Sequence, residues 1–133
     1  MESNNYSGWI FIDKPEGKTS FDIIRNIKKI LKIKKIGHSG TLDPIASGIL
    51  GIGIGEATKS IPFFSKRKEY KFEITFGESK DTDDISGKTT MTSQLVPTIG
   101  QISNCLNEFI GTISQIPPNY SAVKVNGMRA YKL

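Results

Sequence analysis

The chain has 133 residues, 37% hydrophobic and 23% charged, a composition that supports one folded domain, or part of a larger one, and excludes a disordered or low-complexity polypeptide. Its formal net charge of +5 admits a polyanionic partner such as RNA without requiring one. No apolar run approaches the length of a membrane span, the polar start MESNNYSG lacks the regions of a signal peptide, and one cysteine, Cys105, excludes an internal disulfide, so the expected location is cytoplasmic.

In chain order, GWIFIDKP (8–15) predicts a strand ended by Pro15, with Trp9, Phe11 and Asp13 on one face. EGKTS is a turn, after which Thr19 starts a helix with Asp22 three residues on, the spacing of a capping box. Ile23, Ile24, Ile27, Ile30 and Leu31 keep the helical period, while Arg25, Lys28, Lys29 and Lys32 fall opposite, on a face that is either solvated or in contact with RNA. GHSGTLDPIASGIL (37–50) is a polar, turn-prone stretch holding the chain's only histidine, His38, and one carboxylate, Asp43. ILGIGIG (49–55) reads as a buried strand whose glycines permit close packing, and EATKSIPFFSK as a short helix disturbed at Pro62.

KEYKFEITFG (68–77) alternates Tyr70, Phe72, Ile74 and Phe76 against Lys71, Glu73 and Thr75, a strand pattern. An acidic loop, ESKDTDDISGK, precedes a second helix, PTIGQISNCLNEFIG. Thr98 and Gln101 form its capping box, and Ile99, Ile102, Leu106, Phe109 and Ile110 its apolar stripe. TISQIPPNYSAVKVNGMRAYKL reads as strand, turn and strand, with Asn126-Gly127 suited to a tight hairpin. The expected class is α+β, with a mixed, largely antiparallel sheet flanked by helices.

Several chemistries lack their residues. GIGIGEATK matches neither phosphate-loop pattern, and DTDDISGKTT has Ile85 and Ser86 where a calcium loop needs a ligand and a glycine. No HxH, HExxH or CxxC surrounds His38, and no serine or cysteine elbow pairs with it. Asp43 remains. Leu-Asp-Pro is a common turn, because aspartate bonds its own backbone and proline fixes φ. Alternatively, Gly40 and Gly48 let the backbone close around one carboxylate while Leu42 and Ile45 anchor the loop in the core, leaving a nucleophile or base in a dry pocket.

GHSGTLDPIASGIL resembles the catalytic motif of the bacterial tRNA pseudouridine synthase B (TruB) family. Four further segments resemble that family in the same order: GWIFIDKPEGKTSFDII, LGIGIGEATK, KEYKFEITFGESKDTDDISG and IPPNYSAVKVNGMRAYKL. The resemblance implies the pseudouridine synthase fold and isomerisation of the T-loop uridine (position 55) of tRNA to pseudouridine, with neither metal nor redox cofactor. It implies Asp43 as the catalytic aspartate, attacking the uracil ring or assisting departure of the base from its sugar. Tyr70 matches the tyrosine that stacks on the uracil, and His38 the histidine that helps hold the T loop once the base is flipped out. Lys14 belongs to the family's Lys-Pro motif, counted here with the substrate-binding residues as support for the site.

The expected partner is the T stem-loop of tRNA, with no membrane, small-molecule cofactor or obligate protein partner. Residues 1–133 are expected to be the N-terminal part of the catalytic domain, without its remaining strands or the RNA-binding extension. In the family a later strand carries the arginine that pairs with the aspartate, and none of Arg25, Arg67 and Arg129 matches its position. A non-catalytic RNA-binding fragment or degraded gene product of the same family is therefore the alternative. The guide-RNA-dependent branch shares the aspartate motif, but KPEGKTS and PPNYSAVKVNG resemble the stand-alone bacterial branch more closely.

Overall fold

The computed structural model describes residues 5–65 and 67–116, together with the backbone of Lys124–Val125 and Met128–Arg129. Strand β1 (Gly8–Lys14) is followed by helix α1 (Ser20–Leu31), β2 (Ile36–His38), β3 (Gly48–Ile54) and a 3₁₀ helix over Gly55–Phe63. Then come β4 (Glu78–Lys80), β5 (Thr89–Thr92), α2 (Ile99–Leu106), a 3₁₀ turn over Asn107–Phe109, β6 (Lys124–Val125) and β7 (Met128–Arg129). The strand pairs are antiparallel, which with the helices gives an α+β protein. Residues 1–70 and 71–133 form two compact units. Among the described residues no helix is long and apolar enough to cross a membrane.

The first unit is a three-stranded sheet in the order β1-β3-β2 with α1 on one face. β1 alternates as expected: Trp9 stacks with Phe11 and with Phe64 on one face, while Ile10 and Ile12 pack toward the core on the other. β3 is the central strand and is covered on both sides. Leu50, Ile52 and Ile54 join Ile23, Ile27 and Ile33 in the buried core, each such side chain contributing about 1.5–3 kcal/mol by leaving water.

The alternate β3 residues are glycines for a steric reason. A Cβ on Gly53 would sit 3.2 Å from the Ala57 carbonyl oxygen, and one on Gly51 2.8 Å from Ser39 Oγ. Gly37, opposite Gly53, lies under Ile61, whose Cδ1 would be 2.8 Å from a Cβ there, so the 3₁₀ helix rests on a strip without side chains.

α1 begins where its sequence predicts. The Thr19 hydroxyl accepts from the Asp22 N–H at 3.0 Å, and Asp22 Oδ2 accepts from the Thr19 N–H at 3.1 Å. The hydroxyl of Thr19 first, then its N–H, and then Arg25 hold the Asp22 carboxyl below its ordinary range. Lys32 ends the helix in the left-handed conformation. Ile23, Ile24 and Ile27 are buried and Leu31 packs against the core, but Ile30 is 75% exposed, so the apolar face keeps its length and loses that one position.

In the second unit no described residue is buried. The 68–77 segment, which crosses from one unit to the other, is not a strand. Phe72, Ile74 and Phe76 alternate as a strand would, yet a strand is defined by a ladder, and this segment pairs with none among the described residues. The acidic stretch instead contains a hairpin, β4 with β5, whose loop is organised by carboxylates. Asp84 Oδ1 accepts from Thr82 Oγ1 at 2.7 Å and the Ser86 N–H at 2.8 Å, while Asp81 Oδ1 accepts from the Lys88 N–H at 2.8 Å. Hydrogen bonds from the Ser86 and Thr82 hydroxyls hold Asp84 below the ordinary carboxylate range.

α2 carries the predicted capping box, Thr98 with Gln101. It stops at Leu106, and Ile99, Leu106, Phe109 and Ile110 of its stripe are exposed. The segment 112–116, read as part of a strand, has no regular structure. β6 pairs with β7 through Val125 and Met128, the register of a two-residue hairpin; Asn126-Gly127 itself lies outside the described residues.

Candidate active site

The loop between β2 and β3 carries Asp43. β2 was not legible as a strand, yet it pairs Ile36–His38 with β3, and the Ser39 N–H donates to the Gly51 carbonyl at 2.9 Å, extending the ladder by one bond. Residues 40–47 therefore leave and re-enter one sheet, and the loop's ends are fixed by strand register.

Between those ends, four consecutive residues are tied to the protein by their backbones. Lys68 Nζ donates to the Thr41 carbonyl at 2.5 Å. The Leu42 N–H donates to Ser20 Oγ at 3.0 Å, and the same hydroxyl donates to the Leu42 carbonyl at 3.2 Å. The Asp43 carbonyl accepts from the Ala46 N–H at 3.0 Å, closing a turn around Pro44. The Pro44 carbonyl accepts from the Gly17 N–H at 2.7 Å. The donors come from α1, from the turn before it and from the segment ahead of Tyr70, so the loop is held from several directions.

Two expectations about the loop need correction. Leu42 does pack against the core, but Ile45 is 44% exposed, because the turn from Asp43 to Ala46 swings it outward. Gly40 does not close around the carboxylate. It makes room for Lys68, whose Cε would lie 3.1 Å from an added Cβ, and Gly48 has open space at its Cβ position.

Asp43 is exposed, and among the described residues its carboxylate has no hydrogen-bond or ion-pair partner. A carboxylate on a fixed backbone with both oxygens free is available as a base or nucleophile. Lys14 closes β1 with 0% exposure, its Nζ donating to the Pro15 carbonyl at 3.0 Å and the Lys18 carbonyl at 2.7 Å. It thereby shapes the turn whose Gly17 N–H holds Pro44.

His38 pairs with Ile52 and so lies on the face that α1 covers; its Nδ1 is buried without a hydrogen-bond partner among the described residues. Tyr70 is 55% exposed and makes no hydrogen bond or ring contact within the described residues. The structure thus joins Lys14 to the Asp43 loop through the 15–18 turn, and reaches toward Tyr70 through Lys68, while no bond links Asp43 to His38 or Tyr70 directly. Ser20 and Lys68 went unnoticed in the sequence. Ser20 stands beside the capping threonine, and its partner is 22 residues away, a separation that leaves no local signal.

The Asp43 carboxylate is thus presented without a partner among the described residues, on a loop between two antiparallel strands of an α+β protein and within the motif GHSGTLDP. Residues 28–133 match the family model described as TruB family pseudouridylate synthase (N terminal domain), and the chain belongs to that family. It is 51% identical over 127 residues to the tRNA pseudouridine synthase B of Ehrlichia chaffeensis, covering 95% of this chain and 43% of that protein. Similarity to the Bradyrhizobium diazoefficiens protein of the same name is 51% over 127 residues, 95% of this chain and 37% of that one. The Roseobacter denitrificans protein is 46% identical over 132 residues, 98% of this chain and 44% of that one. The chain thus spans less than half the length of these relatives. A solved H/ACA RNP bound to a substrate RNA containing 2'-deoxyuridine is 46% identical over 42% of this chain and 18% of that chain, with a TM-score of 0.41.

Proposed function

We propose that this chain supplies the aspartate loop of a tRNA pseudouridine synthase acting on the T-loop uridine, as the N-terminal part of that enzyme's catalytic domain. The observation that carries the reading is Asp43: an unpartnered carboxylate, its backbone tied at residues 41 to 44, in the family's motif. The target base is flipped from the RNA stack, because a stacked base hides its glycosidic bond. Asp43 then attacks the uracil ring or assists cleavage of the bond from N1 to the ribose. The base turns and rejoins the sugar through C5, the proton displaced from C5 passes to solvent, N1 takes up a proton in place of the ribose, and in the attack route the bond between Asp43 and the ring breaks again to return the free carboxylate. Tyr70 stacks on the uracil, His38 supports the RNA from β2, and Lys14 holds the turn beneath the loop.

The substrate is the T stem-loop, which the +5 charge complements, and the likeness of KPEGKTS and PPNYSAVKVNG to the stand-alone bacterial branch supports a route without a guide RNA. The reaction releases tritium to water from uracil labelled at C5, and Asp43→Asn is expected to abolish that release while leaving T-arm RNA binding nearly intact. Equal release by the variant removes Asp43 from its role. Binding without any turnover by the wild-type chain selects the second reading, an RNA-binding fragment.

A further inference from the structure

We propose that Ser20 is a positioning residue for Asp43, an inference that rests on Asp43 being the catalytic carboxylate. A single hydroxyl takes both backbone polar groups of Leu42, accepting from its N–H at 3.0 Å and donating to its carbonyl at 3.2 Å. Those groups belong to the two peptide planes flanking Leu42, and the second plane also contains the Asp43 nitrogen. That plane ends at the Asp43 Cα, so fixing both planes fixes where the atom bearing the Asp43 side chain sits.

Ser20 is suited to this by its surroundings. It is 2% exposed, so water does not compete for the hydroxyl. It opens α1, where a serine commonly caps the helix, but Thr19 already performs the capping through the Asp22 N–H. The Ser20 side chain is thereby released for the loop. Its backbone is fixed by a helix whose Ile23 and Ile27 are locked into the core, and Leu42 packs against that same core. The hydroxyl therefore ties the loop to the rigid part of the unit.

Asp43 depends on this because its carboxylate has no partner of its own among the described residues. Its position is inherited from the backbone. The bonds from Gly17 and Ala46 are backbone to backbone, and Lys68 is exposed, which leaves Ser20 as the buried side chain holding the loop. Removing the hydroxyl leaves the carboxylate chemically intact but lets it wander, and misplacement by an ångström costs about 100-fold in rate.

The test uses Ser20→Ala and Ser20→Cys in the full polypeptide, the second keeping side-chain size with a poor hydrogen-bonding group. Amide hydrogen exchange reads the clamp independently of activity: the Leu42 amide is expected to exchange faster in both variants while that of Ile52 is unchanged. In tritium release, kcat is expected to fall about 10- to 100-fold with KM within about two-fold, because RNA binding does not pass through this hydroxyl. An unchanged kcat with a freed Leu42 amide overturns the proposal, as does a loss shared by kcat, KM and the melting temperature, which marks a purely structural residue. Asp43→Asn separates the two levels of failure. If it abolishes turnover while the Ser20 variants keep theirs, this inference alone fails; if it keeps full turnover, the reading of Asp43 fails and this inference with it.

Discussion

Gly55 joins β3 to the following 3₁₀ helix, and replacing it with alanine tests how tightly the start of the sheet is assembled. Its φ of 60° lies in the left-handed region, where a Cβ costs about 1–2 kcal/mol. The new Cβ would also lie far inside van der Waals contact with the Tyr6 carbonyl oxygen, and 3.2 and 3.3 Å from the Cα and Cβ of Ser7. Tyr6 and Ser7 lead into β1, while the Gly55 N–H is bonded to the Lys35 carbonyl just ahead of β2 at 2.9 Å. The Cβ meets chiefly backbone, which cannot swing aside as the end of a long side chain would, in a segment anchored to a different strand, and relieving the clash costs about 1–3 kcal/mol more.

Gly17→Ala is the matched control. Its φ is 78°, but nothing lies within 4 Å of its added Cβ, so it carries the conformational strain alone. Both substitutions stiffen the unfolded chain by the same amount, which cancels in the comparison. The sole tryptophan, Trp9, stacks on Phe64 at 4.6 Å and donates to Ser60 Oγ at 3.2 Å, so its fluorescence reports the relevant unit during urea unfolding. Gly55→Ala is expected to lose about 2–5 kcal/mol and Gly17→Ala about 1–2 kcal/mol, at equal m-values. Equal losses, or a larger loss at Gly17, would refute the steric argument.

Ile52, with 0% exposure and strands on both sides, anchors the core; Ile52→Ala is expected to cost about 2–5 kcal/mol in the same urea experiment, and a loss below about 1 kcal/mol would mean that the sheet repacks around the gap. Asp22, held below its ordinary value of 3.8, should show a depressed carboxyl midpoint by NMR, moving back toward 3.8 in Thr19→Val. Because the folded-state value is the lower one, the stabilisation is present above the unfolded pKa and disappears as pH falls through the folded one. The capping variant should therefore lose the part of its acid sensitivity that falls in this window.

The parts of the fold legible in the sequence are those whose cause is local. Thr19 with Asp22 and Thr98 with Gln101 are three residues apart, and both capping boxes form. The alternation of Trp9, Ile10, Phe11 and Ile12 sorts the side chains of β1 correctly between two faces. Local pattern fails where pairing decides. Ile36–His38 is too short to show a period and becomes a strand because β3 lies beside it. Residues 68–77 show the period and do not become a strand, because no ladder receives them among the described residues.

The same division runs through the site. Asp43 and its turn can be read from Leu-Asp-Pro, since the bond from Ala46 to Asp43 spans three residues. What makes the turn a fixed platform comes from far along the chain: the Gly17 N–H, the Ser20 hydroxyl and the Lys68 ammonium reach Pro44, Leu42 and Thr41. The neighbour of Gly40 is likewise distant in sequence, a lysine 28 positions later that lies across it. Lys68 and Ser20 share the Thr41–Leu42 peptide, Ser20 also holds the Leu42–Asp43 peptide, and Gly17 holds the carbonyl of Pro44, so losing one donor loosens a particular residue before it unfolds the rest. Ser20 acts on the residue next to the carboxylate, which is why a hydroxyl that makes no contact with Asp43 itself is expected to control its reaction.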